Sequence, residues 1–157
     1  MNQNKKIETQ LKELLNTSCN KDEKLIRLLQ IGSEHYGLML GLISEIKDQK
    51  YHIIAAYPDG LLSAGEVFDL NDTICGVTYN NQHVTCFAKA SGTNWVQHPA
   101  YDKFSIEAYI GTSYKIGPNI VGTINFSSPT ALGRAFTDKD ETLIKLFAKT
   151  LKKIRSQ

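Results

Sequence analysis

The stretch SIEAYIGTSYKIGPNIVGTINFSSP, residues 105–129, constrains the chain more than any other. Two apolar-rich runs, 108–116 and 120–126, flank Gly117-Pro118-Asn119, a composition that suits a short hairpin loop and therefore predicts two adjacent antiparallel strands. Gly111 and Gly122 fall inside the runs, where a missing side chain weakens a strand and points to a bulge or to the close approach of another group. The second run leaves through Ser127-Ser128-Pro129, read as a strand end with capping hydroxyls, and Glu107 reads as a polar strand entry. After a loop, Phe136-Thr137 with Asp140 opens a helix whose stripe of Leu143, Ile144, Phe147, Leu151 and Ile154 continues to the end.

Upstream, Ile7, Leu11, Leu14 and Leu15 lie at helical spacing, which predicts an amphipathic helix over 4–15. A second helix is predicted from Asn20, with Glu23 three residues on, to about Gly37, its apolar face formed by Leu25, Leu28, Leu29 and Ile31. Residues 38–46, 51–57 and 66–70 read as strands, 72–79 as a short helix, 84–87 as a short strand, and 88–99 as a loop rich in Gly, Ser, Thr and Asn. The domain division expected is an N-terminal helix over 1–19 and one domain over 20–157. Strands in hairpins with helices at both ends predict an α+β fold, a central antiparallel sheet of about six strands.

A chain of 157 residues fits one domain and buries roughly 70% of its extended surface on folding. A net charge of +2 gives no pull toward nucleic acid, and the basic end of the last helix, Lys149, Lys152, Lys153 and Arg155, reads as a solvated terminus that complements the helix dipole. No run approaches the ~20 apolar residues of a membrane span and no apolar leader follows the N-terminus, so the expectation is a cytoplasmic protein without nucleic-acid or membrane partners. Cys19, Cys75 and Cys86 form neither a CxxC pair nor a disulfide framework.

The succession Glu107-Ala108-Tyr109-Ile110-Gly111, then Gly122 to Pro129, then Phe136-Thr137 with Asp140, resembles the end of a GAF domain, the small-molecule sensor module of bacterial signalling proteins. Leu70-Asn71-Asp72-Thr73-Ile74-Cys75 and Trp95-Val96-Gln97-His98-Pro99 resemble its central segments, and the resemblance spans 25–151. It implies terminal helices on one sheet face and, on the other, a ligand pocket closed by short helices and loops, here 71–79 and 88–104. The candidate ligand-binding residues are accordingly Cys75, Trp95, His98, Tyr101, Phe104, Tyr109 and Asn125, with His98 and Tyr109 favoured as a pair. The function expected is a non-catalytic sensory or regulatory domain that binds a small organic ligand and signals through its terminal helices to a partner or output domain. No cofactor is named by these residues.

The same resemblance offers three alternatives. The free methionine-(R)-sulfoxide reductase, a stand-alone GAF enzyme, has around one of its cysteines a segment similar to Ile74-Cys75-Gly76-Val77-Thr78, but Ala100-Tyr101-Asp102 carries a tyrosine where that family has a second cysteine. Cyclic-nucleotide-binding GAF domains share Asn125, Phe136, Asp140 and Glu141, yet Phe126 stands at their lysine. Bilin photoreceptors have a cysteine-histidine attachment pair that is missing. Cys75, His83, Cys86 and His98 are poorly spaced for zinc, and the two cysteines read as small buried side chains. Finally, one side of a sheet has limited room for three helices, which predicts leftover apolar surface on 7–15 and 143–154 and a homodimer that buries it.

Overall fold

The computed structural model describes residues 3–81 and 83–157. In chain order these form α1 (Gln3–Leu15), α2 (Lys21–Tyr36), β1 (Leu40–Lys47), β2 (Lys50–Tyr57), β3 (Val67–Asp69), α3 (Ile74–Asn81), β4 (Thr85–Phe87), α4 (Pro99–Phe104), β5 (Ala108–Ile116), β6 (Ile120–Ser128) and α5 (Asp138–Arg155). Single 3₁₀ turns occupy Leu70–Asp72 and Asn94–Gln97. The six strands form one antiparallel sheet in the order β3-β2-β1-β6-β5-β4. This is the α+β arrangement expected. No helix of the described residues is long and apolar enough to cross a membrane.

The helix ends follow from local chemistry. Asn20 accepts a hydrogen bond from the Glu23 N–H (2.8 Å), and Gly37 closes α2 at φ 71°, a left-handed conformation that suits glycine. At α5, Thr137 Oγ1 accepts from the Asp140 N–H (3.4 Å) while Asp140 Oδ2 accepts from the Thr137 N–H (2.8 Å), a reciprocal capping box. Burial pushes the Asp140 carboxyl up, but hydrogen bonds from Arg134 and Thr137 outweigh it and hold the group below its ordinary range. The two strand glycines mark close approaches. A Cβ at Gly122 would lie 1.9 Å from the Ser44 carbonyl oxygen, beside an irregularity in the β1–β2 pairing. The stretch 88–99, read as a loop, holds a 3₁₀ turn and ends where α4 begins, both elements shorter than the window over which helical periodicity shows.

The sheet separates two buried layers. Toward the helices point Ile43, Ala55, Ile110, Ile124 and Phe126, packed against Leu28, Leu29, Leu143, Phe147 and Leu151. Gly32 brings α2 down onto the sheet: a Cβ there would lie 2.0 Å from Phe126 Cζ, so the ring takes the space a side chain would need. α1 packs on α2 and α5 through Ile7, Leu11 and Leu14. Buried Lys24 donates to the Leu15 carbonyl (3.0 Å) and to Gln157 Oε1 (3.0 Å), tying the ends of α1 and α5 to the start of α2.

This layer removes the premise of the expected homodimer. Leu151 and Ile154 are fully buried and Ile7, Leu11 and Leu14 are buried as well, because α1 stacks outside α2 and α5 and needs no sheet surface of its own. Of the expected 1–19 segment, residues 1 and 2 lie outside the described residues, and the division at 19/20 falls in the turn before α2. At the far edge of the sheet, β4 pairs only with Tyr109, Ile110 and Gly111, so residues 112–116 of β5 have no strand partner on that side among the described residues.

Candidate functional site

On the sheet face away from the terminal helices lies a cavity of about 270 Å³. Its base is β-sheet: Leu42 of β1 stands directly opposite Asn125 of β6, which stands opposite Gly111 of β5. Tyr109, two residues before Gly111 and on the same face, folds its ring back over that glycine. A Cβ at Gly111 would lie 2.5 Å from the Tyr109 hydroxyl. The walls come from Ile74 and Cys75 in the first turn of α3, Phe104 at the end of α4, Phe68 of β3, and Leu62. Phe68 and Phe104 meet edge to face at 5.4 Å, and a Lys103–Asp72 ion pair (2.7 Å) joins α4 to the 3₁₀ turn beside it. Met39 (46% exposed) and Leu61 (52%) border the mouth, which explains why two large apolar side chains face water.

Four polar side chains of the cavity, Tyr51, Cys75, Tyr109 and Asn125, form one connected group. Asn125 Nδ2 donates to Tyr51 Oη (3.2 Å) and to Cys75 Sγ (3.0 Å). Tyr109 Oη donates to Cys75 Sγ (3.4 Å) and shares a hydrogen bond with Thr78 Oγ1 (2.9 Å). Burial pushes the Tyr51 and Tyr109 phenols well above their ordinary range and raises the Cys75 thiol too. All three are therefore neutral near pH 7. Among the described residues, no Asp, Glu, Lys, Arg or His lines the cavity.

Of the seven candidate residues, the structure brings Cys75, Phe104, Tyr109 and Asn125 to the cavity and leaves Trp95, His98 and Tyr101 outside its lining. Trp95 stacks on Phe87 at 4.6 Å, and Phe87 stacks in turn on Tyr109 at 5.9 Å, so the indole props the cover from behind. His98 does not pair with Tyr109 at a shared pocket. Its Nδ1 accepts from the Ala100 N–H (3.0 Å) as the cap of α4, and partial burial lowers its pKa against an opposing pull from Asp72. Tyr101 donates to Glu107 Oε2 (2.7 Å), which also accepts from Ser91 Oγ (2.6 Å). These bonds from Ser91 and Tyr101 hold the Glu107 carboxyl low and fasten the 88–104 cover to the start of β5. Glu107 is thus more than a polar strand entry.

Sequence reasoning missed Tyr51, Leu42, Phe68, Ile74 and Ser127. Gly111, a glycine inside a strand run, is the sequence signal of a close approach that leads to the Tyr109 ring.

The cysteines are separated by the sheet. Cys75 packs in the cavity layer, whereas Cys86, opposite Ile110 in the β4–β5 ladder, packs against the helix layer, where burial pushes its thiol up to about 11. Cys19 lies in the turn between α1 and α2. Among the described residues, no three His, Cys, Asp or Glu side chains gather as a metal-binding group.

No protein family matches the chain by sequence, and no curated protein is similar to it at a significant level. Solved structures do match its fold. The GAF domain of an Acinetobacter phosphoenolpyruvate-protein phosphotransferase superposes with a TM-score of 0.77 at 14% identity, covering 99% of this chain and 95% of that one. The free methionine-R-sulfoxide reductase of Neisseria meningitidis, in complex with its substrate, matches at 0.72 and 10% identity, covering 94% and 85%. A phycocyanobilin-bound GAF domain from a cyanobacterial phytochrome matches at 0.71 and 10% identity, covering 97% and 93%. The chain has the GAF fold.

Proposed function

We propose that this GAF-fold chain is a non-catalytic sensory or regulatory domain that binds a small organic molecule in the cavity beneath α3 and α4. The observation that carries the reading is the cavity itself, mostly apolar with a few hydrogen-bonding groups at its base, as small-molecule sites generally are. Cys75, Phe104, Tyr109 and Asn125 would contact the ligand, joined by Tyr51 and Ser127.

Signalling would run through β6, where Asn125 and Ser127 face the cavity while Ile124 and Phe126 face the helices. Ligand binding would favour one arrangement of the cover and sheet, and the Phe126 ring would carry that preference to α2. The receiver is a partner protein or an output domain that meets the outer faces of α1 and α5. A homodimer through these helices would have to use their polar faces, since the apolar stripes are spent within the protomer.

Two features argue against sulfoxide reduction. That chemistry needs a thiolate to attack and a second thiol to resolve the sulfenic acid. Cys75 is held as a thiol and faces away from Cys86 across the sheet. Bilin and cyclic-nucleotide binding also fit poorly, because a cavity of about 270 Å³ without a cation offers neither the room nor a counter-charge.

Native mass spectrometry of the purified protein tests the binding reading: a retained small molecule, lost on unfolding, is the expected result. Incubation with free methionine sulfoxide and a thiol reductant tests the catalytic alternative. Turnover that Cys75→Ser abolishes would overturn the non-catalytic assignment.

A further inference from the structure

From the charge and hydrogen-bonding inventory of the cavity we infer that its ligand is an uncharged, mostly apolar molecule carrying one O–H or N–H donor, of the phenol, alcohol or indole type. This rests on the cavity being a binding site, and it names what the site selects.

The argument begins with Asn125. It is 2% exposed, and both hydrogens of its amide are engaged, one by Tyr51 Oη and one by Cys75 Sγ. An amide nitrogen offers two donors, so nothing is left on that side. Its Oδ1, by contrast, accepts no hydrogen bond from any described residue. Ser127, 4% exposed and also lining the cavity, has an Oγ without a protein hydrogen-bond partner among the described residues. Neither atom is sealed off, so each meets the cavity with a hydrogen bond the protein does not make, and an occupant that displaces water from the carbonyl oxygen must bring a donor to replace it.

Charge is selected against. A carboxylate, phosphate or ammonium group entering the cavity would lose its hydration without meeting a counter-ion, since no charged side chain among the described residues lines the wall. The first turn of α3 borders the space, but Thr73 Oγ1 already accepts from the Gly76 N–H (3.2 Å). The remaining wall is Leu42, Leu62, Phe68, Ile74, Phe104 and Ile106, which rewards an apolar body. The volume of about 270 Å³ falls just below the roughly 300–1,000 Å³ typical of drug-sized ligands. A single-ring or two-ring compound suits it.

The test uses p-cresol, toluene and p-toluate, which share one body and differ in the polar end. Binding is followed by NMR through the methyl groups of Leu42 and Ile74. The expected order is p-cresol tightest, toluene weaker by up to about tenfold, the worth of one hydrogen bond, and p-toluate without cavity shifts. In Asn125→Ala the advantage of p-cresol over toluene should disappear. Ser127→Ala is the milder variant should loss of the buried amide prevent folding, and there the advantage should shrink. Cavity shifts with p-toluate as strong as with p-cresol would overturn the proposed class while leaving the binding reading intact. An undiminished p-cresol advantage in the folded variants would also overturn it. Methyl groups unmoved by all three compounds would defeat the binding reading itself.

Discussion

Asn125 and Phe126 are neighbours in β6, both almost fully buried, yet they finish the two faces of the sheet in different ways. Phe126 is surrounded: its ring lies 5.6 Å from those of both Tyr36 and Phe147, and it fills the space above Gly32. Asn125 looks into an opening. The helix layer is therefore close-packed around the ring, whereas the cavity layer leaves van der Waals contacts unmade. One face has been settled by the chain alone, and the other is completed by what enters it. Stability should accordingly depend on the first and binding on the second.

The largest effect should come from Phe126→Ala. Removing the ring from the helix layer is expected to cost about 3–5 kcal/mol in urea unfolding, because Gly32 offers no side chain to collapse into the void. A loss under about 1 kcal/mol would show that the two faces are equally loose.

Gly32→Ala attacks the same contact from the other side. A Cβ 2.0 Å from the ring must displace either α2 or Phe126, with an expected cost of about 1–3 kcal/mol. An unchanged midpoint would mean that α2 does not seat on the ring.

Alkaline pH should weaken both faces together. Cys75, Tyr51 and Tyr109 on one side, and Cys86 (about 11) and Tyr114 (about 12) on the other, all ionise at higher pH when folded than when unfolded. Each acid is favoured in its neutral form by the fold. Its contribution is fully present below the unfolded value, about 8.5 for Cys and 10 for Tyr, and is lost as pH rises through the folded value. The thermal midpoint should be flat between about pH 7 and 8 and fall above about pH 9, with Cys86→Ala softening the fall. A midpoint constant to pH 10 would contradict this ionisation pattern.

The smallest effect on stability should come from Leu42→Phe, which adds volume to the open face. Here overpacking has room to go, so the expected change is under about 1.5 kcal/mol, with p-cresol binding lost. A cost matching that of Gly32→Ala would mean that the cavity face is packed as tightly as its opposite.

The helix layer was the more legible of the two in the sequence. Asn20, Gly37 and the Thr137/Asp140 pair mark helix ends by local bonds, and the apolar stripes of α2 and α5 repeat over several turns. The cavity was legible only where one strand carried it, at Tyr109, Gly111 and Asn125. Tyr51 and Leu42 sit in strands that are apolar in both directions, so alternation could not say which side they face until the sheet order was known. Trp95, His98 and Tyr101 misled for a related reason. An aromatic with a polar tip suits a pocket wall and equally suits a buried brace, and only the three-residue β4 with its Phe87 decides between them.

The incomplete coverage of β5 bears on how the molecule behaves in a crowd. A strand edge with free N–H and C=O groups is a template for another copy, and β4 shields only three residues of it. Around the uncovered stretch stand Lys115 and, along the adjoining side of α5, Lys145, Lys149 and Lys152. Two copies approaching edge to edge would press these like-charged rows together before any ladder could form. Lys115 and the basic side of α5 should thus disfavour edge-to-edge pairing of two copies, an effect that should weaken as salt screens the ammonium groups.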